Sequence, residues 1–287
     1  MQKTTRSFAR IVALRWLLTA GFSSIALSQS SSPRTGPLVV QGAMRSETEE
    51  LAARLENVRI DTVAGWIFWR GTIDGSPVIV SRTLRGVVNA AAATTIAIEH
   101  YHPAVIINQG TAGGHEPGIH LYDIVLGTSA ISLGAFRTPF RAAGTGSNAL
   151  DWTPLNMMTP EGTASADSSG RRISRFQGDS LLLAVARIAA RDYKRGRVVD
   201  GVIGSSDMWV DELDLIAKYH TRYGSSVEDM ETAAAAQVAA HYHVPFVGMR
   251  IVSDNTTNGD KYDPMTGSAC QEFVYRVVKS YVASLHR

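Results

Sequence analysis

Short apolar segments alternate with longer helix-like segments along most of this chain, and two of the longer segments, 87–101 and 227–242, are rich in Ala. Strand-like apolar runs occur at residues 37–42, 64–70, 77–82, 104–108, 123–126, 201–203 and 245–252. Helix-like segments occur at residues 47–55, 87–101, 177–191, 227–242 and 269–285. Because strands and helices alternate, we predict an α/β fold in which helices cover a sheet.

Three segments interrupt this alternation. Asp74-Gly75, between two predicted strands, is typical of a hairpin turn. Residues 110–114, Gly-Thr-Ala-Gly-Gly, predict a turn whose backbone N–H groups approach a ligand, with a ligand-free turn as the alternative. Residues 141–172 are rich in Gly, Ser, Thr, Asn and Pro, and we predict a surface insertion that partly covers a site.

The first 28 residues have the pattern of a secretory signal peptide. Four basic residues precede an apolar run at residues 16–27, and Ala26 and Ser28 fit a cleavage site before Gln29. An uncleaved anchor or an incorrectly assigned start of the chain is the alternative, although the run is short for a transmembrane helix. We expect a signal peptide at 1–28, a linker at 29–36 and one domain at 37–287. The mature protein would be exported, periplasmic and without stable membrane insertion.

The net charge bears on nucleic-acid binding, and the cysteine content bears on disulfide formation. Removing residues 1–28 changes the formal net charge from +2 to −2, since the segment holds four basic and no acidic residues. No basic stripe remains, so we expect no nucleic-acid polymer as a partner. The single cysteine, Cys270, excludes an internal disulfide, and we expect it to be a packed side chain.

Two carboxylates follow rigid elements in the C-terminal part of the chain. Glu231 stands near the head of the helix predicted at 227–242, and Asp254 follows the apolar strand at 245–252. Such a pair suits chemistry on a sugar, because one acid can hold hydroxyls while the other passes a proton. As alternatives, Glu231 could cap or ion-pair its helix and Asp254 could be a turn residue.

Four motifs in chain order resemble a known family. They are residues 42–47 (Gly-Ala-Met-Arg-Ser-Glu), 107–114 (Ile-Asn-Gln-Gly-Thr-Ala-Gly-Gly), 229–233 (Asp-Met-Glu-Thr-Ala) and 250–254 (Arg-Ile-Val-Ser-Asp). Together they resemble the nucleoside phosphorylase superfamily, and within it the 5′-methylthioadenosine/S-adenosylhomocysteine nucleosidases. The resemblance implies a single α/β domain with a central mixed, partly barrel-like β-sheet flanked by helices. It also implies a nucleoside substrate and a homodimer or higher homo-oligomer.

The same resemblance implies roles for individual residues. Glu47 matches the carboxylate that positions and activates water, and Asp254 matches the acid that protonates purine N7. Glu231 matches the residue that accepts from ribose hydroxyls, and Trp209 matches an aromatic that stacks on the base. The other implied substrate-binding positions are Met44, Thr111, Ala112, Gly113, Val210 and Met230. Alternatives are a helix-dipole role for Glu47 and a core position for Trp209.

Members of this superfamily differ in their nucleophile, which is either water or phosphate. Phosphorylases bind phosphate through arginines, but the two matching positions here are Asn108 and Ser46. Because Arg45, Arg82 and Arg85 are nearby, phosphate remains an alternative nucleophile. We predict hydrolysis of a purine nucleoside without cofactor or metal. The alternatives are phosphorolysis and non-catalytic nucleoside binding or storage.

Two departures from the nucleosidase pattern leave the 5′-substituent of the substrate open. The stretch at residues 129–136 contains no histidine, where the nucleosidases usually carry an aromatic-His-Asp sequence. Tyr122 stands where they have a glycine.

Overall fold

The computed structural model describes residues 35–155, 158–159, 162–163 and 175–285. The predicted signal peptide, most of the predicted linker and much of the predicted insertion lie outside these residues. Residues 141–155 of the insertion are mostly exposed, as expected of a surface segment. None of the described helices combines the length and apolar character needed to cross a membrane.

Ten strands form the central sheet. They are β1 (Leu38–Gly42), β2 (Glu56–Val63), β3 (Trp66–Ile73), β4 (Ser76–Arg82), β5 (Val105–Gly114), β6 (Ile124–Ser132), β11 (Arg175–Gln177), β12 (Val198–Ser205), β13 (Val227–Asp229) and β14 (Phe246–Asp254). Two two-stranded sheets are separate from it, β7 (Phe136–Arg137) with β8 (Thr153–Pro154) and β9 (Met158–Thr159) with β10 (Gly162–Thr163).

Part of this sheet closes on itself. Strands β5, β14, β6, β12 and β13 pair in a ring that mixes parallel and antiparallel neighbours. Strands β1, β4, β3 and β2 extend the sheet from the first half of β5. The structure therefore confirms the mixed, partly barrel-like sheet.

Helices cover both faces of the sheet. They are α1 (Glu49–Ala52), α2 (Val87–Tyr101), α3 (Ser180–Ala189), α4 (Leu213–Tyr223), α5 (Thr232–His241) and α6 (Thr266–Leu285), with single 3₁₀ turns at Arg45–Glu47, Ala149–Asp151 and Ala190–Asp192. Helices α3 and α6 pack together on one side, and α2 packs with α5 on the other. In β1, Val40 belongs to the core under α3 and α6, and Val39 belongs to the core under α2 and α5, because successive strand residues point to opposite faces.

Two element predictions in the first half of the chain were wrong. The helix expected at 47–55 is only a 3₁₀ turn followed by α1, because Thr48 between them has a non-helical φ of −130°. The glycine-rich segment at 110–114 is the second half of β5 and not a turn. Strand β2 was missed, although Val58 and Ile60 alternate with polar residues as a strand does; both side chains face outward in the structure. The Asp74-Gly75 hairpin is confirmed, and both residues have positive φ.

Two further differences affect the second half. Residues Val227–Asp229 form a strand, so the helix expected from residue 227 begins only at Thr232. Helix α4 was not predicted.

The single cysteine, Cys270, is fully buried on α6. This burial raises the pKa of its thiol to about 12, which is consistent with a packed side chain.

Candidate active site

The predicted site residues converge on one cavity. Nine of them line it, namely Met44, Glu47, Thr111, Ala112, Gly113, Trp209, Met230, Glu231 and Asp254. The tenth, Val210, is buried behind the wall, where its N–H donates to the Glu228 carboxylate at 2.8 Å. Residues from both halves of the chain therefore form a single site.

Glu47 is buried and accepts four hydrogen bonds. Its Oε2 accepts from the N–H groups of Ala43 and Met44, at 2.9 and 3.1 Å. Its Oε1 accepts from the N–H and the hydroxyl of Thr111, both at 2.9 Å. Four donors compensate the burial of a carboxylate and fix its orientation. These contacts show that Glu47 does more than interact with a helix dipole.

A glycine allows this close approach. A Cβ at Gly110 would lie 2.7 Å from Oε1 of Glu47, which is nearer than side-chain atoms tolerate. The glycines of β5 thus make room for a carboxylate rather than form a turn.

Asp254 is the last residue of β14, so the turn alternative was wrong. Burial raises the pKa of its carboxyl. A hydrogen bond from the Ser253 hydroxyl at 2.8 Å lowers that pKa, and the charges of Glu228 and Asp211 raise it. A raised pKa keeps the proton available at higher pH, as a general acid requires.

A buried ion pair supports the segment before α5. Arg250 is 1% exposed, and its Nε donates to Asp229 Oδ2 at 2.6 Å while its Nη2 donates to Asn108 Oδ1 at 2.5 Å. Asp229 also accepts from the hydroxyls of Ser205 and Thr232. This network fixes the segment that presents Met230 and Glu231 to the cavity. Its one signal in the sequence is a charged residue, Arg250, inside an otherwise apolar strand.

Glu231 immediately precedes α5 but does not cap it. Its side chain forms no cap hydrogen bond, and its Oε1 instead accepts from the Gly86 N–H at 2.9 Å, just before α2. Its Oε2 lies 3.9 Å from Nη2 of Arg250, which is on β14 and not on α5, and the described residues show no ion pair between Glu231 and its own helix. Burial raises the pKa of the Glu231 carboxyl, and the charge of Asp229 raises it further. Glu231 is buried and lines the cavity.

Two aromatic rings stand at the cavity mouth. Trp209 is 57% exposed, so the core alternative was wrong. Its ring meets that of Tyr262 edge to face, with centroids 5.9 Å apart. An exposed indole at a cavity mouth offers a flat apolar surface to a planar ligand.

The arginines considered for phosphate are mostly engaged elsewhere. Arg45 and Arg82 both contact the Glu49 carboxylate, at 2.8 and 3.4 Å. Among the described residues, Arg85 is the one arginine that lines the cavity. Asn108 is buried in the network around Arg250.

Sequence reasoning missed several cavity residues. These are Met208, Glu228, Asp229, Ser253 and Tyr262. Asp229 and Ser253 lie inside quoted motifs but were given no role. Met208 and Glu228 each adjoin a recognised residue or motif, whereas Tyr262 follows β14 in a segment without periodicity. Within the described ranges, no group of three or more His, Cys, Asp or Glu side chains is placed to hold a metal ion.

Comparison with known proteins gives consistent similarities. A family model described as the phosphorylase superfamily matches residues 37–283. A 5′-methylthioadenosine/S-adenosylhomocysteine nucleosidase of Bacillus cytotoxicus is 29% identical over 248 residues, covering 84% of this chain and 98% of the relative. The enzyme of the same name from Bacillus thuringiensis is 31% identical, covering 76% of this chain and 85% of the relative.

A solved structure agrees. The nucleosidase of that name from Neisseria meningitidis, in complex with methylthio-immucillin-A, superposes with a TM-score of 0.68 and 27% identity. The match covers 86% of this chain and all of that one.

Proposed function

The chain belongs to the phosphorylase superfamily, and from this we propose that it hydrolyses the N-glycosidic bond of purine nucleosides. One observation carries the proposal. The cavity holds a carboxylate fixed by backbone donors, Glu47, together with a carboxyl whose pKa burial raises, Asp254. Those are the groups that water attack and base departure require. Relatives named as nucleosidases support the same reaction.

The reaction divides between the two acids. As the bond between the sugar carbon and the base breaks, positive charge develops on the sugar and negative charge on the base. Asp254 gives its proton to the base nitrogen N7, so that a neutral purine leaves. The Thr111 hydroxyl can rotate away from Oε1 of Glu47 and so free one acceptor position. Through this position Glu47 would orient a water and take its proton as the oxygen bonds to the sugar carbon, and its charge would stabilise the positive charge on the sugar.

The remaining residues would hold the substrate. Glu231 would accept from ribose hydroxyls through the oxygen near Arg250, with Met230 and Thr111 beside the sugar. Trp209 would stack on the base at the cavity mouth. Met44, Ala112 and Gly113 complete the wall.

The surroundings of Glu47 favour water over phosphate. The N–H groups of Ala43 and Met44 are donors that an anion would need, and Glu47 already occupies them. A phosphate in this place would also meet the negative charge of Glu47. Arg85 is the feature that favours phosphate, and the assay below separates the two reactions.

Base release from purine nucleosides tests the proposal. We expect the protein to release base from at least one of methylthioadenosine, adenosine and inosine in phosphate-free buffer. Release that requires phosphate would show a phosphorylase instead. Nucleoside binding without release would show a binding or storage protein.

Ser253→Ala should move the alkaline limb of the pH–rate profile to higher pH. The serine has one hydrogen, which it donates either to Asp254 Oδ1 at 2.8 Å or to the Ala112 carbonyl at 3.2 Å. Its hydrogen bond to Asp254 lowers the raised pKa of this acid. Without it, Asp254 keeps its proton to higher pH. The measurement is kcat/KM against pH, and a shift to lower pH would contradict the general-acid role.

We propose further that the protein is exported to the periplasm after removal of residues 1–28. The basic and apolar pattern of that segment supports this. Mass spectrometry of protein recovered from cell fractions should find a mature chain beginning at Gln29 in the periplasm. An intact N-terminus in the cytoplasmic fraction would refute export.

We also propose a homodimer or higher homo-oligomer. The support is the family resemblance together with an apolar surface beside α2 and α5. Val88 is 75% exposed, and an adjacent groove is lined by Leu133, Phe136 and Ala233. Sedimentation equilibrium should give a multiple of the chain mass, whereas a monomer at micromolar concentration would refute it.

A further inference from the structure

Arg85 lines the cavity without an acidic partner. Its Nη2 donates to the sulfur of Met44 at 3.5 Å, and no carboxylate in the described part of the chain pairs with it. Arg45 and Arg82 differ from it, because both contact the Glu49 carboxylate at the surface. A thioether sulfur is a weak acceptor, whereas a guanidinium carries several N–H donors. Most donors of Arg85 therefore remain for a ligand.

The turn that carries Arg85 is held by three hydrogen bonds. The Arg85 carbonyl accepts from Asn89 Nδ2 at 2.7 Å. The N–H of Gly86 donates to Glu231 Oε1 at 2.9 Å, and the N–H of the following residue donates to Asp207 Oδ1 at 2.8 Å. These bonds fix the backbone that presents the arginine to the cavity and place it next to Glu231.

Strand β5 defines two ends of the cavity. In the sheet, β14 pairs Arg250 with Gly110 and Asp254 with Gly113. Glu47 lies at the first of these levels, since a Cβ at Gly110 would be 2.7 Å from its Oε1. Three residues of strand span about 10 Å. Glu47 thus lies at one end of the cavity, where the sugar is proposed to bind, and Asp254 lies at the base end.

Arg85 belongs to the sugar end. Its side chain contacts Met44, whose N–H donates to Glu47 at 3.1 Å, and its backbone adjoins the N–H that binds Glu231. In the proposed binding mode the base extends to Asp254 and the ribose hydroxyls meet Glu231. The remaining substituent of the sugar is the one on its 5′ carbon, and it is the group left to meet the guanidinium.

We propose that Arg85 binds a phosphate group on the 5′ carbon, so that the enzyme hydrolyses purine nucleoside 5′-monophosphates in preference to neutral nucleosides. The inference rests on the proposed function and names its substrate class. A guanidinium matches two oxygens of a phosphate with two parallel N–H donors. Because the sugar and the guanidinium both border Met44, an anion attached directly to the 5′ carbon is within reach.

The bond that breaks is the same glycosidic bond. Water forms a bond to the sugar carbon and gives its proton to Glu47, while the base leaves with the proton of Asp254. The products are the free base and ribose 5-phosphate, and the phosphate ester stays intact. Phosphate held by Arg85 is then part of the substrate and not the nucleophile. This assignment accounts for an unpaired arginine in a cavity where Glu47 opposes phosphate beside the reacting carbon.

Matched pairs of substrates test the proposal in phosphate-free buffer. The 5′-monophosphates of adenosine and inosine should have kcat/KM values about 10–100-fold above those of the nucleosides, the effect of hydrogen bonds between charged groups. In Arg85→Met this ratio should fall at least about tenfold, and Arg85→Lys, which keeps the charge but not the fork, should give an intermediate ratio. A ratio near one in the wild type, or an unchanged ratio in Arg85→Met, would overturn the proposal.

Arg45→Met is the matched control. Arg45 follows Met44 directly and carries the same charge, but its side chain is 78% exposed, contacts Glu49 and does not line the cavity. This variant should keep the wild-type ratio. An equal fall in Arg45→Met and Arg85→Met would show a general effect of charge and reject a phosphate site at Arg85.

A carboxylate is the other anion that a guanidinium binds in this way. S-adenosylhomocysteine carries one at the end of its thioether chain, whereas methylthioadenosine is neutral. An Arg85-dependent preference for S-adenosylhomocysteine, without a preference for the monophosphates, would reject the phosphate assignment.

Product inhibition keeps the test valid if Arg85→Met does not fold. Ribose 5-phosphate should inhibit wild-type turnover at a concentration at least about tenfold below that of ribose, and equal inhibition would refute the proposal. Failure of the proposed function looks different, because no substrate would then release its base without added phosphate. Equal turnover of nucleotides and nucleosides would leave hydrolysis standing and remove only the role of Arg85.

Discussion

Asp254→Asn is expected to lower kcat for base release by about 10²–10⁴-fold, the range for loss of a general acid. An amide has no acidic proton to give, so the base would have to leave as an anion. The substitution keeps the size of the side chain and removes a carboxyl whose pKa burial already raises, so folding should be little affected. Steady-state kinetics with a thermal melt of each variant measures both effects.

Asp211→Asn is the control variant for Asp254→Asn. It removes a nearby carboxylate outside the cavity and should retain most of the wild-type kcat. The pH dependence adds a second criterion. The wild type should lose activity as Asp254 ionises, at a pH above the usual aspartate range, and Asp254→Asn should lack that limb. Near-wild-type turnover by Asp254→Asn would refute its role.

Glu47→Gln is expected to lower kcat by about 10²–10⁴-fold through loss of the general base. It should also lower the free energy of unfolding, by about 1–3 kcal/mol for a polar group left unpaired. Each oxygen of Glu47 accepts from two donors. In either orientation the glutamine amide nitrogen would face two of them, as donor against donor.

Glu49→Gln is the control for this pair. Glu49 lies two residues away with a side chain 43% exposed, and it contacts Arg45 and Arg82 at the surface. Surface ion pairs contribute about 0–1 kcal/mol, so both stability and activity should stay close to wild type. If Glu47→Gln were as active as Glu49→Gln, water activation by Glu47 would be wrong.

The positions of the catalytic candidates were predictable because they belong to short ordered motifs. Glu47, Glu231 and Asp254 were each named from the sequence, and the structure brings them to one cavity. The sequence alone did not predict which strands pair with each other. The placement of Glu228 opposite Gly113 depends on antiparallel register across more than 100 residues, which no local pattern encodes.

Local misreadings had physical causes. The glycines at 110–114 suggested a turn, but they serve a strand that must approach the Glu47 carboxylate closely. Val227–Asp229 was assigned to a helix because Ala-rich sequence follows directly, yet three residues suffice to pair with both β5 and β12. Short strands of this kind are fixed by tertiary contacts rather than by propensity.

One departure from the family pattern has a local explanation. Tyr122 stands where the nucleosidases have a glycine, and its φ of 67° lies in the region that glycine adopts most easily. Here the tyrosine is held in place, since its hydroxyl donates to Asp263 at 2.6 Å and its carbonyl accepts from the Tyr193 hydroxyl at 2.6 Å. These contacts offset the cost of the backbone conformation.

The identity of the sugar product tests the central claim most directly. Purified enzyme would be given a purine nucleoside with excess phosphate, and the products followed by phosphorus NMR and mass spectrometry. We predict free base and free sugar, with no sugar 1-phosphate, because water held at Glu47 is the nucleophile. Accumulation of sugar 1-phosphate would contradict the account, because it would show that phosphate is the nucleophile, with Arg85 as the residue that binds it.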